Sequence, residues 1–173
     1  MQDIHNISEI ITNKGRSLVE ASSEMPVLLV FLRHFGCVFC KEAMHDIGKN
    51  KDDWAKQKIN VVLVHMSDYE TAENYFKKYK ISGIENISDP SCGLYAKFGL
   101  GKGSASQLFG LKNFMRGFET TLKGIPIGLR QIGDGFQMPG VFLLRNGKVM
   151  DSYIHASASD RPDYESLMQC CVS

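Results

Sequence analysis

Two short runs of apolar residues mark strands in the first half of the chain. Residues 27–32 read VLLVFL and residues 59–65 read INVVLVH. Neither run alternates with polar residues, so each predicts a strand that is buried on both faces. Such strands are typical of a central sheet that helices cover on either side.

Helical periodicity follows each of these strands. After the first strand, apolar side chains recur at helical spacing at Cys40, Ala43, Met44 and Ile47. After the second, residues 67–80 predict a helix whose N-cap is Ser67 or Asp68. The first half of the chain therefore has the order βαβα.

The next elements are shorter. Residues 85–88 (ENIS) predict a brief extended element, and residues 89–100 a turn followed by a short helix. Residues 140–154 predict two strands joined at Asn146-Gly147, a dipeptide that is typical of tight β-hairpins.

Residues 157–171 predict a closing helix, with Asp160 near its N-cap and Pro162 in its first turn. The complete order, βαβα followed by a hairpin and a helix, resembles the thioredoxin-like fold. We therefore expect an α/β protein with a central mixed sheet and helices on both faces. No repeat or linker divides the chain, so residues 1–173 are expected to form a single domain.

A segment that the minimal fold does not need, residues 101–135, predicts a helical insertion. One face of its helix is apolar, with Leu108, Leu111, Met115, Phe118 and Leu122. Six basic residues and one acidic residue give residues 97–130 a net charge of +5. The favoured interpretation is a surface helix that packs its apolar face on the core. The alternative is a cap over a functional site, with a basic surface that favours anionic substrates.

Composition narrows the functional classes. The net charge of +1 gives no global reason to expect nucleic-acid or membrane binding. Residues 1–15 do not resemble a secretory signal, and no apolar run is long enough to span a membrane. The five cysteines are not spaced as a disulfide framework. We therefore expect a cytoplasmic protein, and we expect no cofactor.

Cys37 and Cys40 stand three residues apart at the predicted junction of strand and helix. Unpaired backbone N–H groups at a helix start favour an anion, so they lower the pKa of a thiol there. Arg33 and His34 lie just before and could add positive charge. The spacing suits a disulfide that opens and closes, and this redox interpretation is favoured over burial as two small core side chains.

A zinc site is disfavoured because a second cysteine pair with suitable spacing is missing from the sequence. Cys92 stands alone, and Cys170 and Cys171 are adjacent. These three cysteines are interpreted as core side chains.

Pro139 directly precedes the late hairpin. Thioredoxin-like proteins place a cis-proline there, facing the cysteine pair, and we expect the same here.

Together these segments resemble the peroxiredoxin-like branch of the thioredoxin superfamily, often called alkyl hydroperoxide reductase/thiol-specific antioxidant-like. The resemblance lies in VFLRHFGCVFCKE, VVLVHMSDYETAENYFKKY, ISDPSCGLYAKFGL, GDGFQMPGVFLLRNGKVMDSYIH and SDRPDYESLM. It implies a thiol-dependent oxidoreductase that reduces a peroxide or a disulfide through Cys37 and Cys40. Thioredoxin or a low-molecular-weight thiol would be the reductant, and a homodimer would be in keeping with this branch.

The resemblance leaves the nucleophile open. Typical peroxiredoxins carry Thr-x-x-Cys after a proline, so Cys40 would correspond to the attacking cysteine and Cys37 to the threonine. Arg33 stands where that proline is expected. Thioredoxins instead attack with the first cysteine. Exposure at the helix start favours Cys37 as the nucleophile. Arg33 and Arg130 are the candidate guanidiniums for stabilising a thiolate or a peroxide oxygen.

Three functions follow from these observations. The first is a peroxiredoxin-like thiol peroxidase that acts on hydrogen peroxide or on an organic or lipid hydroperoxide. The second is a protein disulfide reductase without peroxidase activity, and the third is a binding domain of the same fold with no catalysis.

Overall fold

A mixed five-stranded sheet forms the centre of the molecule in a computed structural model that describes residues 7–124 and 132–169. Its strands lie in the order β3-β2-β1-β4-β5. They comprise β1 Val27–Phe31, β2 Asn60–His65, β3 Glu85–Ser88, β4 Gly140–Arg145 and β5 Lys148–Ile154. The first three run parallel, whereas β4 and β5 are antiparallel to their neighbours. The predicted mixed sheet is confirmed.

Apolar side chains from β1 enter two separate cores, one on each face of the sheet. Leu28 and Val30 pack in a cluster with Met44 and Phe76. Leu29 and Phe31 pack in the opposite cluster, which also contains Phe98. All five residues of β1 are buried, because both faces of the strand are covered. This is the physical reason for the unbroken apolar run.

Helices cover both faces of the sheet, which confirms the α/β class. They comprise a 3₁₀ helix at Ile7–Glu9, α1 Leu18–Glu24, α2 Val38–Lys56, α3 Tyr69–Lys78, α4 Gly93–Lys97, α5 Ala105–Phe109, α6 Leu111–Leu122 and α7 Tyr164–Met168. Asp68 caps α3, one of the two predicted N-caps. Helix α1 was not predicted, although Ser17 and Glu20 form a capping box at its start. In the described residues, no helix has the length and hydropathy needed to cross a membrane.

The closing helix starts later than predicted. Its N-cap is Asp163, whose side chain accepts a hydrogen bond from Ser166 N. Asp160 instead accepts from the backbone N–H groups of Ala156 and Ser157 in the preceding turn. The predicted Asp160 cap is therefore wrong, and Pro162 lies before the helix. A proline disfavours helical backbone in the residue before it, which explains the later start.

The insertion contains two helices, because the chain turns at Gly110. Gly110 has an extended ψ of 160°, and a Cβ there would meet Ser106 O at 2.5 Å. Of the predicted apolar face, Leu108 is buried, whereas Met115, Phe118 and Leu122 are 64%, 63% and 73% exposed. The side chain of Leu111 lies outside the described part. The interpretation that this face packs on the core is therefore wrong for α6.

Helix α6 faces the rest of the protein with its small and polar side. Asn113 and Thr120 are buried, and Gly117 lies against α2 residues Val38 and Phe39. Arg116 donates to a Glu42 carboxylate oxygen at 2.8 Å and to Ser159 O at 2.8 Å. These polar contacts hold α6 in place and leave its apolar side facing outward.

A buried carboxylate at the start of β3 supplies a stability prediction. Glu85 is 1% exposed and accepts hydrogen bonds from Arg16, Thr12 and Asn60. Burial alone would raise its pKa, but these donors lower it to about 2. The stabilisation is therefore present above pH ~4.5 and is lost as the pH falls towards 2.

We expect Glu85→Gln to lower the free energy of unfolding at pH 7 by roughly 2–4 kcal/mol, because it leaves a partly buried Arg16 guanidinium without its carboxylate. Urea unfolding measures this. Glu24→Gln is the control, since Glu24 also binds Arg16 but is 61% exposed. Equal stability of the two variants would contradict the prediction, as would a Glu85→Gln effect that does not shrink towards pH 2.

Candidate active site

Cys37 lies where β1 turns into α2. It is the N-cap of α2, with extended backbone (φ −73°, ψ 127°), and its side chain is 7% exposed. Its own backbone N–H donates to His34 O at 3.0 Å, which closes the turn between strand and helix. Cys40 lies one turn into the helix and is 4% exposed. The predicted strand-to-helix placement of the pair is confirmed.

Arg33 binds both sulfur atoms of the pair. Its Nη1 donates to Cys37 Sγ at 3.2 Å, and its backbone N–H donates to Cys40 Sγ at 2.9 Å. Its Nε donates to Gln137 O at 3.1 Å and its Nη2 to Gly135 O. With the guanidinium 5% exposed and fixed by these carbonyls, its positive charge acts on Cys37 at close range and with little screening.

The two thiols have opposite electrostatic environments. A hydrogen bond from the Cys40 thiol, the Arg33 charge, and the N–H groups of Phe39 and Cys40 at the helix start lower the pKa of Cys37 to about 6, against the opposing effect of burial. Burial raises the pKa of Cys40 well above its usual range. These opposite shifts favour the thiolate form at Cys37 and the thiol form at Cys40.

The positive charge that His34 could have added beside Cys37 is not expected at physiological pH. Burial, with help from the neighbouring Arg33, lowers the pKa of His34 to about 4. The imidazole is therefore neutral, and the positive charge at Cys37 comes from Arg33 and the helix start.

These environments predict the pH dependence of alkylation. With reduced protein and iodoacetamide, we expect the modification rate at Cys37 to reach half of its maximum near pH 6, because only the thiolate reacts. Cys40 should stay unmodified up to pH 9. Peptide mass spectrometry assigns each site. Cys92 is an internal control, because burial and the nearby Asp89 raise its pKa. A Cys37 midpoint near 8.5, the ordinary value, would contradict the prediction.

An apolar cavity of about 460 Å³ lies over Cys37. Helices α2, α5 and α6 and the turn before α2 supply its lining. The apolar part comprises Val38, Phe39, Leu108, Phe109, Gly117 and Phe118, and the polar part Arg33, His34, Cys37, Asn113 and Thr121. The insertion therefore covers the cysteine site, as the alternative interpretation expected. Its contribution to the lining is mainly apolar, with Leu108, Phe109, Gly117 and Phe118.

Pro139 lies beside the pair but in the trans form. It lines a small cavity of about 30 Å³ together with Cys40, Arg33 and His155. The described residues contain no cis peptide bond, so the expected cis-proline is wrong. The trans form is the lower-energy form of an X-Pro bond by default, and a proline before a strand carries no sequence signal that distinguishes the two forms.

The other candidates lie away from this site or outside the described residues. Cys92 was predicted to be a core side chain. It is half-buried, with its Sγ 3.3 Å from Met66 Sδ, so it packs at the edge of the core. Arg130, Cys170 and Cys171 fall outside the described residues. Within residues 7–124 and 132–169, no group of three or more His, Cys, Asp or Glu side chains is arranged to hold a metal ion.

Sequence reasoning missed the carbonyls that fix Arg33 and the aromatic lining of the cavity. Gly135 and Gln137 lie more than 100 residues after Arg33, and a carbonyl acceptor carries no sequence signal. Phe109 lies within the predicted insertion, residues 101–135, but was not part of its predicted apolar face.

Comparisons with known proteins agree with this fold. The model of the AhpC/TSA antioxidant enzyme family matches residues 46–158, well over half of the chain. The chain belongs to this family, and the predicted peroxiredoxin-like resemblance is confirmed. The matched range begins after Cys40, so it does not include the cysteine pair.

Curated relatives are distant. The chloroplastic thioredoxin-like protein AAED1 of Arabidopsis thaliana is 24% identical over 84% of this chain and 62% of its own length. Peroxiredoxin-like 2C of Mus musculus is 27% identical over 54% of this chain and 50% of its own. The chain thus spans about half to three fifths of these relatives. Prostamide/prostaglandin F synthase of Xenopus tropicalis is 27% identical over 96% of this chain and 87% of its own length.

Solved structures share the fold. Peroxiredoxin Q of Xanthomonas campestris superposes with a TM-score of 0.66 at 13% identity, over 96% of this chain and 94% of that one. Peroxidoxin BcpB of Mycobacterium tuberculosis gives a TM-score of 0.56 at 17% identity, over 94% and 87%. The thioredoxin-like fold predicted from the order of elements is confirmed.

Proposed function

We propose that the protein is a thiol-dependent peroxidase that reduces organic hydroperoxides with Cys37 as nucleophile and Cys40 as resolving thiol. The observation that carries the proposal is the buried Arg33 guanidinium, which lies 3.2 Å from Cys37 Sγ and beside an apolar cavity. The family of antioxidant enzymes to which the chain belongs supports a thiol-based redox reaction.

In the first step, the Cys37 thiolate attacks the terminal oxygen of the hydroperoxide. An S–O bond forms as the O–O bond breaks, which yields Cys37 sulfenic acid and an alkoxide that takes a proton from water to leave as the alcohol. Negative charge moves from sulfur to the departing oxygen, and Arg33 is placed to stabilise it because its orientation is already fixed by Gln137 O and Gly135 O.

In the second step, Cys40 resolves the sulfenic acid. Its sulfur attacks Cys37 Sγ, an S–S bond forms as the S–O bond breaks, and the Cys40 proton leaves with the hydroxyl as water. A dithiol such as thioredoxin, or two molecules of a low-molecular-weight thiol, then returns two electrons and two protons by thiol–disulfide exchange. The proposal places the protein in the reducing cytoplasm, where these thiols are available.

The cavity supports an organic substrate over hydrogen peroxide. Phe39, Phe109 and Phe118 line a volume far larger than hydrogen peroxide needs, and burying apolar substrate surface against them contributes about 25 cal/mol per Å². Substrate binding of this kind should appear as a lower KM for an aromatic hydroperoxide than for hydrogen peroxide.

The test is a titration of fully reduced protein with cumene hydroperoxide, followed by intact mass and free-thiol measurement. We expect one equivalent to remove two thiols and two hydrogens per chain, with hydrogen peroxide less efficient. Unchanged thiols at millimolar cumene hydroperoxide would overturn the proposal. Turnover of insulin disulfides without peroxide consumption would indicate a disulfide reductase. Ordinary pKa values of both thiols, without any turnover, would indicate a binding domain.

A further inference from the structure

Helix α6 is amphipathic with its apolar side turned to solvent. Phe109, Met115, Phe118, Leu122 and Phe136 are 71%, 64%, 63%, 73% and 50% exposed, and we call these five residues the outer apolar face. A surface helix of a soluble protein ordinarily has the reverse orientation. Large contiguous apolar patches on protein surfaces mark binding sites.

The outer apolar face is continuous. Met115, Phe118 and Leu122 are spaced by three and four residues, so they form one line along α6. Phe109 and Phe136 meet edge-to-face, with ring centroids 6.5 Å apart. Phe109 and Phe118 also line the cavity over Cys37, so the cavity opens within this face.

Positive charge accompanies the outer apolar face. Lys123 directly follows Leu122, and Lys102 forms a β-bridge with Gln137, next to Phe136. The side chains of Lys102 and Lys123 are 69% and 55% exposed. Lys102 pairs with Asp134, which is 27% exposed, and Lys123 with Glu119, which is 59% exposed, and ion pairs near the surface are weak. Their ammonium groups are therefore available to phosphate and carboxylate groups outside the protein.

We propose that the outer apolar face rests on a membrane surface that contains anionic phospholipid. A convex helix with Phe, Leu and Met on one side and lysines nearby has the pattern of helices that lie in the bilayer interface. Its polar side is already occupied, because Asn113 donates to Gln107 O and Arg116 donates to Ser159 O and to Glu42. The apolar side chains would enter the headgroup region, and the lysines would contact anionic headgroups.

This orientation places the cavity mouth against the lipid. Given the proposed peroxidase function, on which this step rests, an oxidised acyl chain would pass from the bilayer between Phe109 and Phe118 to Cys37 without crossing water. The membrane-bound protein would then reduce phospholipid hydroperoxides by the same two-electron steps, with the alcohol left in the lipid.

Vesicle co-sedimentation of the whole protein tests the surface directly. The vesicles contain phosphatidylcholine alone or phosphatidylcholine with 30% phosphatidylserine. We expect binding to the mixed vesicles, weaker binding to phosphatidylcholine alone, and a decline with salt. The double variant Met115→Ser/Leu122→Ser should bind at least tenfold more weakly, since it removes two apolar side chains that do not line the cavity.

A matched control is Met150→Ser/Ile154→Ser, two side chains on β5 that are 48% and 49% exposed. It should bind like the wild type. Failure of the wild type to bind mixed vesicles, or equal loss in both double variants, would overturn the inference. So would a homodimer that only Met115→Ser/Leu122→Ser abolishes in sedimentation equilibrium, because a second copy would then cover this face.

Activity on soluble cumene hydroperoxide separates the two proposals. Turnover of cumene hydroperoxide by a wild type that fails to bind vesicles would remove the membrane inference and keep the peroxidase. Vesicle binding without any peroxide reduction would remove the peroxidase proposal and keep membrane binding. If both hold, Met115→Ser/Leu122→Ser should reduce phospholipid hydroperoxide in mixed vesicles at least tenfold more slowly and cumene hydroperoxide at the wild-type rate.

Discussion

Cys37→Ser is expected to abolish the reduction of hydroperoxides, with a loss of about 10³-fold or more, because serine supplies no thiolate at neutral pH. Cys40→Ser should instead keep the first step and lose the second. It would consume one equivalent of peroxide per chain and hold Cys37 as sulfenic acid, which dimedone traps and intact mass detects. Multiple turnover with thioredoxin should disappear in both variants.

This pair of variants identifies the nucleophile. If Cys40 attacks, as an alignment to typical peroxiredoxins implies, Cys37→Ser would accumulate the sulfenic acid and Cys40→Ser would be inert. Cys92→Ser is the control, since Cys92 is a half-buried thiol that does not line either cavity beside the pair. It should retain wild-type turnover.

Arg33→Met is expected to have the second large effect on the rate of hydroperoxide reduction. It removes the Nη1 donor to Cys37 Sγ and, with it, the positive charge that lies 3.2 Å from that sulfur. We expect the pKa of Cys37 to rise by roughly 1–2 units and the rate of reaction with cumene hydroperoxide at pH 7 to fall about 10- to 100-fold. Stopped-flow oxidation and the pH profile of alkylation measure the two effects.

Arg33→Lys should recover part of the rate, because it restores the charge but not the fork that binds Gln137 O and Gly135 O. Arg145→Met is the matched control, because Arg145 lies at the end of β4 that is far from Pro139. It should leave the pH profile of Cys37 alkylation unchanged. Urea unfolding of each variant shows whether the protein stays folded at the assay conditions. An Arg33→Met protein that is folded and has an unshifted alkylation profile would contradict the electrostatic role of Arg33.

Local patterns in the sequence predicted most of the fold. The run at residues 27–32 predicted a central strand, since a strand buried on both faces has no polar position. Asn146-Gly147 predicted the hairpin, and both residues have positive φ in it, 50° and 71°. The final helix was less accurate, because two aspartates, Asp160 and Asp163, lie near its start and spacing alone did not show which one caps it.

The orientation of α6 shows why such patterns are incomplete. Spacing correctly placed Met115, Phe118 and Leu122 on one face, because the periodicity of a helix is a local property. Which face turns inward depends on what lies opposite, and here Glu42 on α2 and Ser159 O bind Arg116 on the other side. The more common arrangement was therefore the wrong prediction.

The sequence by itself determined the order of elements, the placement of Cys37 and Cys40 at a helix start, and the family resemblance, because each depends on residues close together in the chain. Only the tertiary structure decided the electrostatics of the pair. Carbonyls more than 100 residues away hold the Arg33 guanidinium beside Cys37 Sγ, and burial lowers the pKa of His34. Contacts between distant segments set the charges at the site, and sequence spacing does not encode them.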